Sequence, residues 1–258
     1  MSRVDRLLGL ARSIAIYHVM PWRQRPMRRL YAEFVKPGDL VFDIGAHVGN
    51  RTRGFVALGC RVVALEPQPD FAKLLRALFG RSGGVEIVEA AVGAAPGQAS
   101  LSISDRTPTV TTVSTGWRDA RAREPEFGGV RWNRRIDVEM TTFDALIARF
   151  GEPAFVKIDV EGAEPAVLAG LTRAVPALSF EFVPSALDEV RACVARLAEL
   201  GPYRYNWSVG ESFRLESASW MTGAEMLSAL EGQVRGTRPR SGDVYARLDN
   251  ESGNLVSW

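Results

Sequence analysis

The sequence predicts an α/β domain, a mostly parallel β-sheet with helices on both faces. Three observations carry that reading. From residue 40 onward, short β-branched runs alternate with stretches whose apolar residues recur at helical spacing, the pattern of strand and crossover helix. With 258 residues and 46% hydrophobic content, the chain is long enough to bury one full core. Leu40 to Glu66 reads as strand, glycine turn, helix and strand, the unit from which parallel sheets are wound. The expected organisation is an N-terminal helical cap over 1–36, a main domain over 37–248 with an insertion or lid at about 105–135, and a tail over 249–258.

Composition narrows the class. Thirty-two basic and 30 acidic residues leave a net charge of +2, which gives no general nucleic-acid signal. The two cysteines, Cys60 and Cys193, lie far apart without CxxC spacing, and nothing resembles a cleaved signal peptide, so a reduced, cytoplasmic setting is expected. No apolar run approaches the ~18 to 20 residues of a membrane span.

In chain order, residues 3–17 place Leu7, Leu8, Ala11, Ile14 and Ala15 on one helical face, with Arg3, Arg6 and Arg12 elsewhere. With Arg23, Arg25, Arg28 and Arg29 nearby, this helix suits covering a site, joining a homodimer, or touching an anionic membrane surface. Pro26 fits the first turn of a second helix through Met27, Leu30, Tyr31 and Phe34, ended by Pro37-Gly38-Asp39. After the 40–66 unit, Phe71, Leu74, Leu75 and Leu78 mark a helix, Val85 to Val92 a third strand, and Ala99 to Ser104 an antiparallel strand at the sheet edge. Residues 105–135 break this rhythm with seven arginines, Trp117 and Trp132. A connection so long is uncommon unless functional or mobile, and it reads as a substrate lid. Its Trp117, Arg118, Trp132 and Arg134 suit a glycan, phosphate or nucleotide-sugar acceptor through stacking and bidentate hydrogen bonds; a solvated insertion is the plainer alternative.

Ile136 to Met140 restore strand alternation, Thr142 caps a helix that Gly151 ends, and Phe155 to Asp159 form a buried strand. Pro176 to Val183 is a further strand, and Ser185 with Asp188 opens a helix stopped by Gly201-Pro202. Tyr203 to Trp207 and Ser212 to Leu215 read as a hairpin around Gly210. Thr222 and Glu225 make a capping box, and Asp243 to Leu248 is the last strand.

Two stretches carry chemistry. In DIGAHVG, Gly45 and Gly49 bracket a turn where backbone can approach a ligand closely, and Glu66 at the next strand's tip can take both hydroxyls of a ribose. The spacing lacks the third glycine of a dinucleotide fingerprint, and Asp43 suits a cationic amino-acid head group better than a pyrophosphate. An S-adenosylmethionine site fits; a bare βαβ turn without ligand is the bland alternative. In FVKIDVEGAE, Lys157, Asp159 and Glu161 alternate and so share one face, a costly burial without partners or a role. The plain reading is a Lys157 to Asp159 pair that only fixes the loop.

Together VFDIGAHVGN (41–50), VVALEPQP (62–69), RIDVEMTTFDAL (135–146) and FVKIDVEGAE (155–164) resemble the FkbM family of S-adenosylmethionine-dependent methyltransferases over about 37–185. The resemblance implies a class I, Rossmann-like sheet with a reversed final strand and O-methylation of a hydroxyl on a sugar, glycolipid or glycosylated natural product. It departs at His47, where Asn is more usual, and the arginine-rich insertion leaves the acceptor open. The residues expected to hold the cofactor are Asp43, Gly45, His47, Gly49, Asn50, Glu66, Pro67, Ala91 and Asp159. Asp159 is the first candidate for the base that accepts the hydroxyl proton, followed by Glu161, Glu181 and His47. No dedicated metal-ligand motif is present, yet Asp159, Glu161 and Glu181 could converge on a Mg²⁺ ion. Alternatives are a non-sugar small molecule, lipid or peptide acceptor, an NAD-dependent oxidoreductase, which the glycine spacing disfavours, and a non-catalytic domain.

Overall fold

The computed structural model describes residues 8, 9, 11–13, 24–236 and 240–249. The expected N-terminal helix therefore falls largely outside the described residues, as do Arg23, His18 and the tail beyond Asp249; residues 8, 9 and 11–13 are helical.

Next come α1 (Gln24–Tyr31), β1 (Leu40–Ile44), α2 (Asn50–Ala57), β2 (Arg61–Leu65), α3 (Pro69–Phe79) and β3 (Val85–Val88). Then come β4 (Ala91–Val92), β5 (Gly97–Ile103), α4 (Thr115–Arg121), β6 (Arg134–Thr141), α5 (Phe143–Phe150) and β7 (Phe155–Ile158). The chain continues through α6 (Glu164–Ala169), β8 (Ala177–Phe182), α7 (Leu187–Leu200), β9 (Tyr203–Val209), α8 (Gly223–Val234) and β10 (Gly242–Leu248).

Among the described residues, seven strands form one sheet in the order β3-β2-β1-β7-β8-β10-β9. Pairing is parallel from β3 to β8, and β10 runs antiparallel between β8 and β9. The reversed strand is thus inserted next to the edge. Because successive residues of a strand face opposite sides, Phe42, Val63, Val156 and Phe180 point to a core covered by α5 to α8. Their chain neighbours Val41, Val62 and Phe155, with Tyr245 on β10, face α1, α2 and α3. Helices therefore cover both faces. Local signals act where expected: Thr142 and Thr222 accept N-cap hydrogen bonds from Ala145 and Glu225, and Glu225 completes the capping box.

Three sequence expectations need correction. The run Val85 to Val92 is two strands, because β2 ends at Leu65 and leaves the chain beyond Val88 without a ladder partner; β4 pairs with β6 instead. The strand expected at the sheet edge, β5, lies in a separate three-stranded sheet with β6 and β4. The hairpin around Gly210 is not a regular two-stranded ladder: β9 pairs with β10 along one edge, and residues 212–215 form no strand, the returning chain meeting the other edge only at single points, Glu216 donating to the Trp207 carbonyl and Met221 pairing with Tyr205. No helix among the described residues is long and apolar enough to cross a membrane.

Candidate active site

The carboxyl ends of the parallel strands open into a cavity of about 340 Å³. One half lies over β1 and β2. Gly45 adopts φ 86°, and a Cβ there would overlap the carbonyl oxygen of Asp159, so only glycine lets the first turn pass this close to the loop after β7. His47 follows at φ 49° with its ring 4.3 Å from that of Phe71. Both oxygens of Glu66 are aimed by backbone N–H groups, His47 donating at 2.9 Å and Gln68 at 2.8 Å. Burial pushes the Glu66 carboxyl up to about 7, against the pull of those two hydrogen bonds.

The other half lies over β7, β8 and β10. Lys157 is fully buried, and its ammonium donates to Asp243 at 2.9 Å, to Asp159 at 3.2 Å and to the Ile158 carbonyl at 3.1 Å. Burial works against its charge, and the pairing with Asp159 and Asp243 outweighs it, so Lys157 titrates above the ordinary lysine range. Beside this pair, one carboxylate oxygen each from Asp159, Glu161 and Glu181 lie within 4.8 Å of one another. Burial and then the neighbouring like charges raise Glu161 and Glu181 well above the usual carboxylate range. Such a cluster holds protons or a hard cation, because three crowded carboxylates cannot all stay charged alone.

The arginine-rich segment braces this half from outside. Thr112 donates to the Glu161 carbonyl at 2.7 Å, and the Trp117 ring lies so close over Gly162 that no Cβ could fit there. Arg121 is buried, binds the Ser185 hydroxyl and pairs with Glu124 at 3.0 Å. Glu161, preceding Gly162 and bonded through its carbonyl to Thr112, adopts φ 55°, a strained conformation that these contacts hold in place.

Of the residues expected from sequence, Gly45, His47, Asn50, Glu66, Pro67, Ala91, Asp159, Glu161 and Glu181 all line the cavity. Others do not. Asp43 is 1% exposed beneath the turn and accepts from the Thr52 hydroxyl at 2.5 Å, so it orders the turn rather than meeting a cationic head group. Burial raises its carboxyl, partly offset by Thr52 and Lys157. Gly49, at φ 78°, is where α2 packs on Leu75 and Phe79 of α3. Trp117, Arg118, Trp132 and Arg134 are absent from the lining as well. Trp117 packs edge-on against Trp132 at 6.4 Å, the Trp132 indole donates to the Val110 carbonyl, Arg118 pairs with Asp119, and Arg134 pairs with Asp105. Their aromatic and guanidinium groups are used to fold the segment. What reaches the cavity from it is Pro108, Thr109, Thr111, Thr112 and Val113.

Sequence reasoning missed Gln68, Phe71, Arg51, Glu211 and Asp243 as cavity residues. Gln68 and Phe71 stand beside Glu66 in the chain and were legible as its neighbours; Glu211 arrives in the loop after β9 and Asp243 on β10, with no local signal.

These residues suit S-adenosylmethionine. Glu66 presents a fixed carboxylate for a ribose diol, Phe71 with Leu101 offers apolar wall for a base, and the Gly45 turn leaves backbone exposed to the ligand. Residues 43–201 match the family described as Methyltransferase FkbM domain. A search among curated proteins gave no match. Similar solved structures include a precorrin-6y C5,15-methyltransferase from Geobacter metallireducens, 15% identical over 90% of this chain and 88% of that one, with a TM-score of 0.43. Another is a TehB-like SAM-dependent methyltransferase from Corynebacterium glutamicum, 10% identical over 87% of this chain and 88% of that one, with a TM-score of 0.45.

Proposed function

Because this chain belongs to the FkbM family of S-adenosylmethionine-dependent methyltransferases, we propose that it methylates a hydroxyl group of a sugar, glycolipid or glycosylated natural product. The observation that carries the reading is the carboxylate cluster of Asp159, Glu161 and Glu181, which opens onto the same cavity as Glu66. The cofactor, when bound, supplies the activated methyl carbon. The chain's part is to hold an acceptor oxygen about 3 Å from that carbon and in line with the bond that breaks, which accounts for most of such a rate enhancement. Asp159, aimed by Lys157, takes the hydroxyl proton. Glu161 and Glu181, whose raised carboxyls favour the protonated form, orient neighbouring hydroxyls as donors and acceptors. A polyhydroxylated acceptor matches such a site better than an anionic one, which the clustered carboxylates would repel. The family assignment sets aside the NAD-dependent alternative.

The test is Asp159→Asn with release of S-adenosylhomocysteine followed over a panel of glycosides and non-sugar alcohols. The expected result is homocysteine-product affinity within about threefold of native and turnover down by about 10²-fold or more. Unchanged turnover would remove Asp159 from the chemistry, and activity confined to non-sugar alcohols would replace the acceptor class.

The crowding of the carboxylates favours one second reading. Oxygen donors spaced this closely suit a Mg²⁺ ion that would lower the pKa of the acceptor hydroxyl. Activity lost on chelation and restored by Mg²⁺ would move Asp159 from base to ligand; activity indifferent to chelator would end this reading.

A further inference from the structure

The cavity has a marked imbalance of charge. Its lining carries the carboxylates of Glu66, Asp159, Glu161, Glu181, Glu211 and Asp243, whereas Arg51 is the one lysine or arginine lining it among the described residues. Arg51 is the second residue of α2, immediately after Asn50, so it projects from the helix that the glycine turn feeds. Its guanidinium is held from several sides: it lies 4.8 Å from the centre of the Phe213 ring, donates to the Met27 sulfur at 3.4 Å, and pairs with Glu211 at 3.0 Å. The side chain is 14% exposed and that of Glu211 30%. The cation is thus held by apolar neighbours, and its charged partner is the more exposed of the two.

S-adenosylmethionine brings one anionic group, the carboxylate of its amino-acid end, into a cavity whose other ionisable lining residues are mostly carboxyls. We propose that Arg51 receives that carboxylate and that Glu211 holds the guanidinium in the empty site and is displaced when the cofactor enters. A guanidinium presents a planar fork that matches a carboxylate through two parallel hydrogen bonds, so one anion exchanges for another without reorganising the arginine. The inference rests on the family's cofactor and is independent of the acceptor.

Calorimetric titration with two ligands tests it: S-adenosylhomocysteine, which keeps the amino-acid end, and 5′-methylthioadenosine, which lacks it. Arg51→Met should weaken S-adenosylhomocysteine at least tenfold, about 1.4 kcal/mol, and leave methylthioadenosine within about twofold, with Arg51→Lys between Met and native. Glu211→Gln should bind S-adenosylhomocysteine as tightly as native or more tightly, because Arg51 no longer has a competing carboxylate. Equal weakening of both ligands in Arg51→Met would mean a purely structural pair between α2 and the loop after β9, and overturns the proposal. So does an unchanged affinity for S-adenosylhomocysteine, or its loss in Glu211→Gln. Native protein that binds neither ligand would instead bring down the cofactor reading itself, a separate outcome.

Discussion

Glu66 and Asp159 are both carboxylates at strand tips facing one cavity, yet they are held in opposite ways. Glu66 takes its two backbone N–H partners from His47 and Gln68, in the turn that follows β1 and two residues further along the chain. Asp159 takes its orientation from a buried ammonium that is shared with Asp243, delivered by the last strand, and its loop is braced by Thr112 and Trp117 from the arginine-rich segment. The Glu66 carboxylate is therefore aimed locally, by partners within β1, its turn and the residues after β2. The acceptor half exists only when the whole sheet has closed.

If that contrast holds, the largest penalties fall on the acceptor half. Lys157→Met leaves the buried Asp243 carboxylate without its ion-pair partner, and should cost about 3 to 5 kcal/mol of folding stability in urea titration. Adding Asp243→Asn should restore part of that loss, and no recovery would show that the pair is not coupled. Trp117→Ala empties the contact over Gly162 and should cost about 3 kcal/mol, with turnover falling further than cofactor affinity. Equal effects on both would erase the distinction between the halves.

The cofactor half should respond in binding instead. Glu66→Ala should weaken S-adenosylhomocysteine more than tenfold, about 1.4 kcal/mol, with turnover at saturating cofactor much less affected; an unchanged affinity would sink the ribose assignment. Protonation works in the same direction. With its carboxyl pushed up to about 7 by burial, Glu66 is progressively neutral below that pH, so affinity measured at pH 6 should be lower than at pH 8. In the unliganded protein the linkage has the opposite sign. The folded state keeps the Glu66 proton to about 7 from an ordinary 4.5, so its contribution makes stability fall as pH rises across that window. Glu66→Gln should flatten the slope. A smaller stability effect is expected for Thr112→Val, which removes the hydrogen bond to the Glu161 carbonyl and the one accepted from the Ser114 N–H, for about 1 kcal/mol each; a loss of turnover well beyond that would mean these bonds tune the loop and do more than stabilise it.

The same division separates what could be read in the chain from what could not. Gly45, Glu66 and the strand tip at Asp159 were legible because each sits in a short run where backbone constraint and side-chain chemistry coincide. Asp43 misled, because an acidic residue at a strand end looks alike whether it faces a ligand or, as here, the Thr52 hydroxyl under the turn. The segment 105–135 misled over its acceptor residues, Trp117, Arg118, Trp132 and Arg134, for a related reason, since none of them lines the cavity. Its apolar residues come singly, so no period shows, and yet Pro108 and Trp117 are each buried against a different neighbour and Trp132 donates to the Val110 carbonyl.

By itself the sequence determined the alternation that makes an α/β sheet, the glycine turn, the capped helices and the family motifs, since all of these depend on residues within about one turn or one strand of each other. Tertiary structure alone decided that Asp243 meets Lys157, that Glu181 joins Asp159 and Glu161, that Glu211 meets Arg51, and that the arginine-rich segment serves as a brace. Those contacts join residues up to 160 positions apart, as Arg51 and Glu211 are. No local periodicity records such a pairing, because it follows from where a reversed strand is inserted in the sheet.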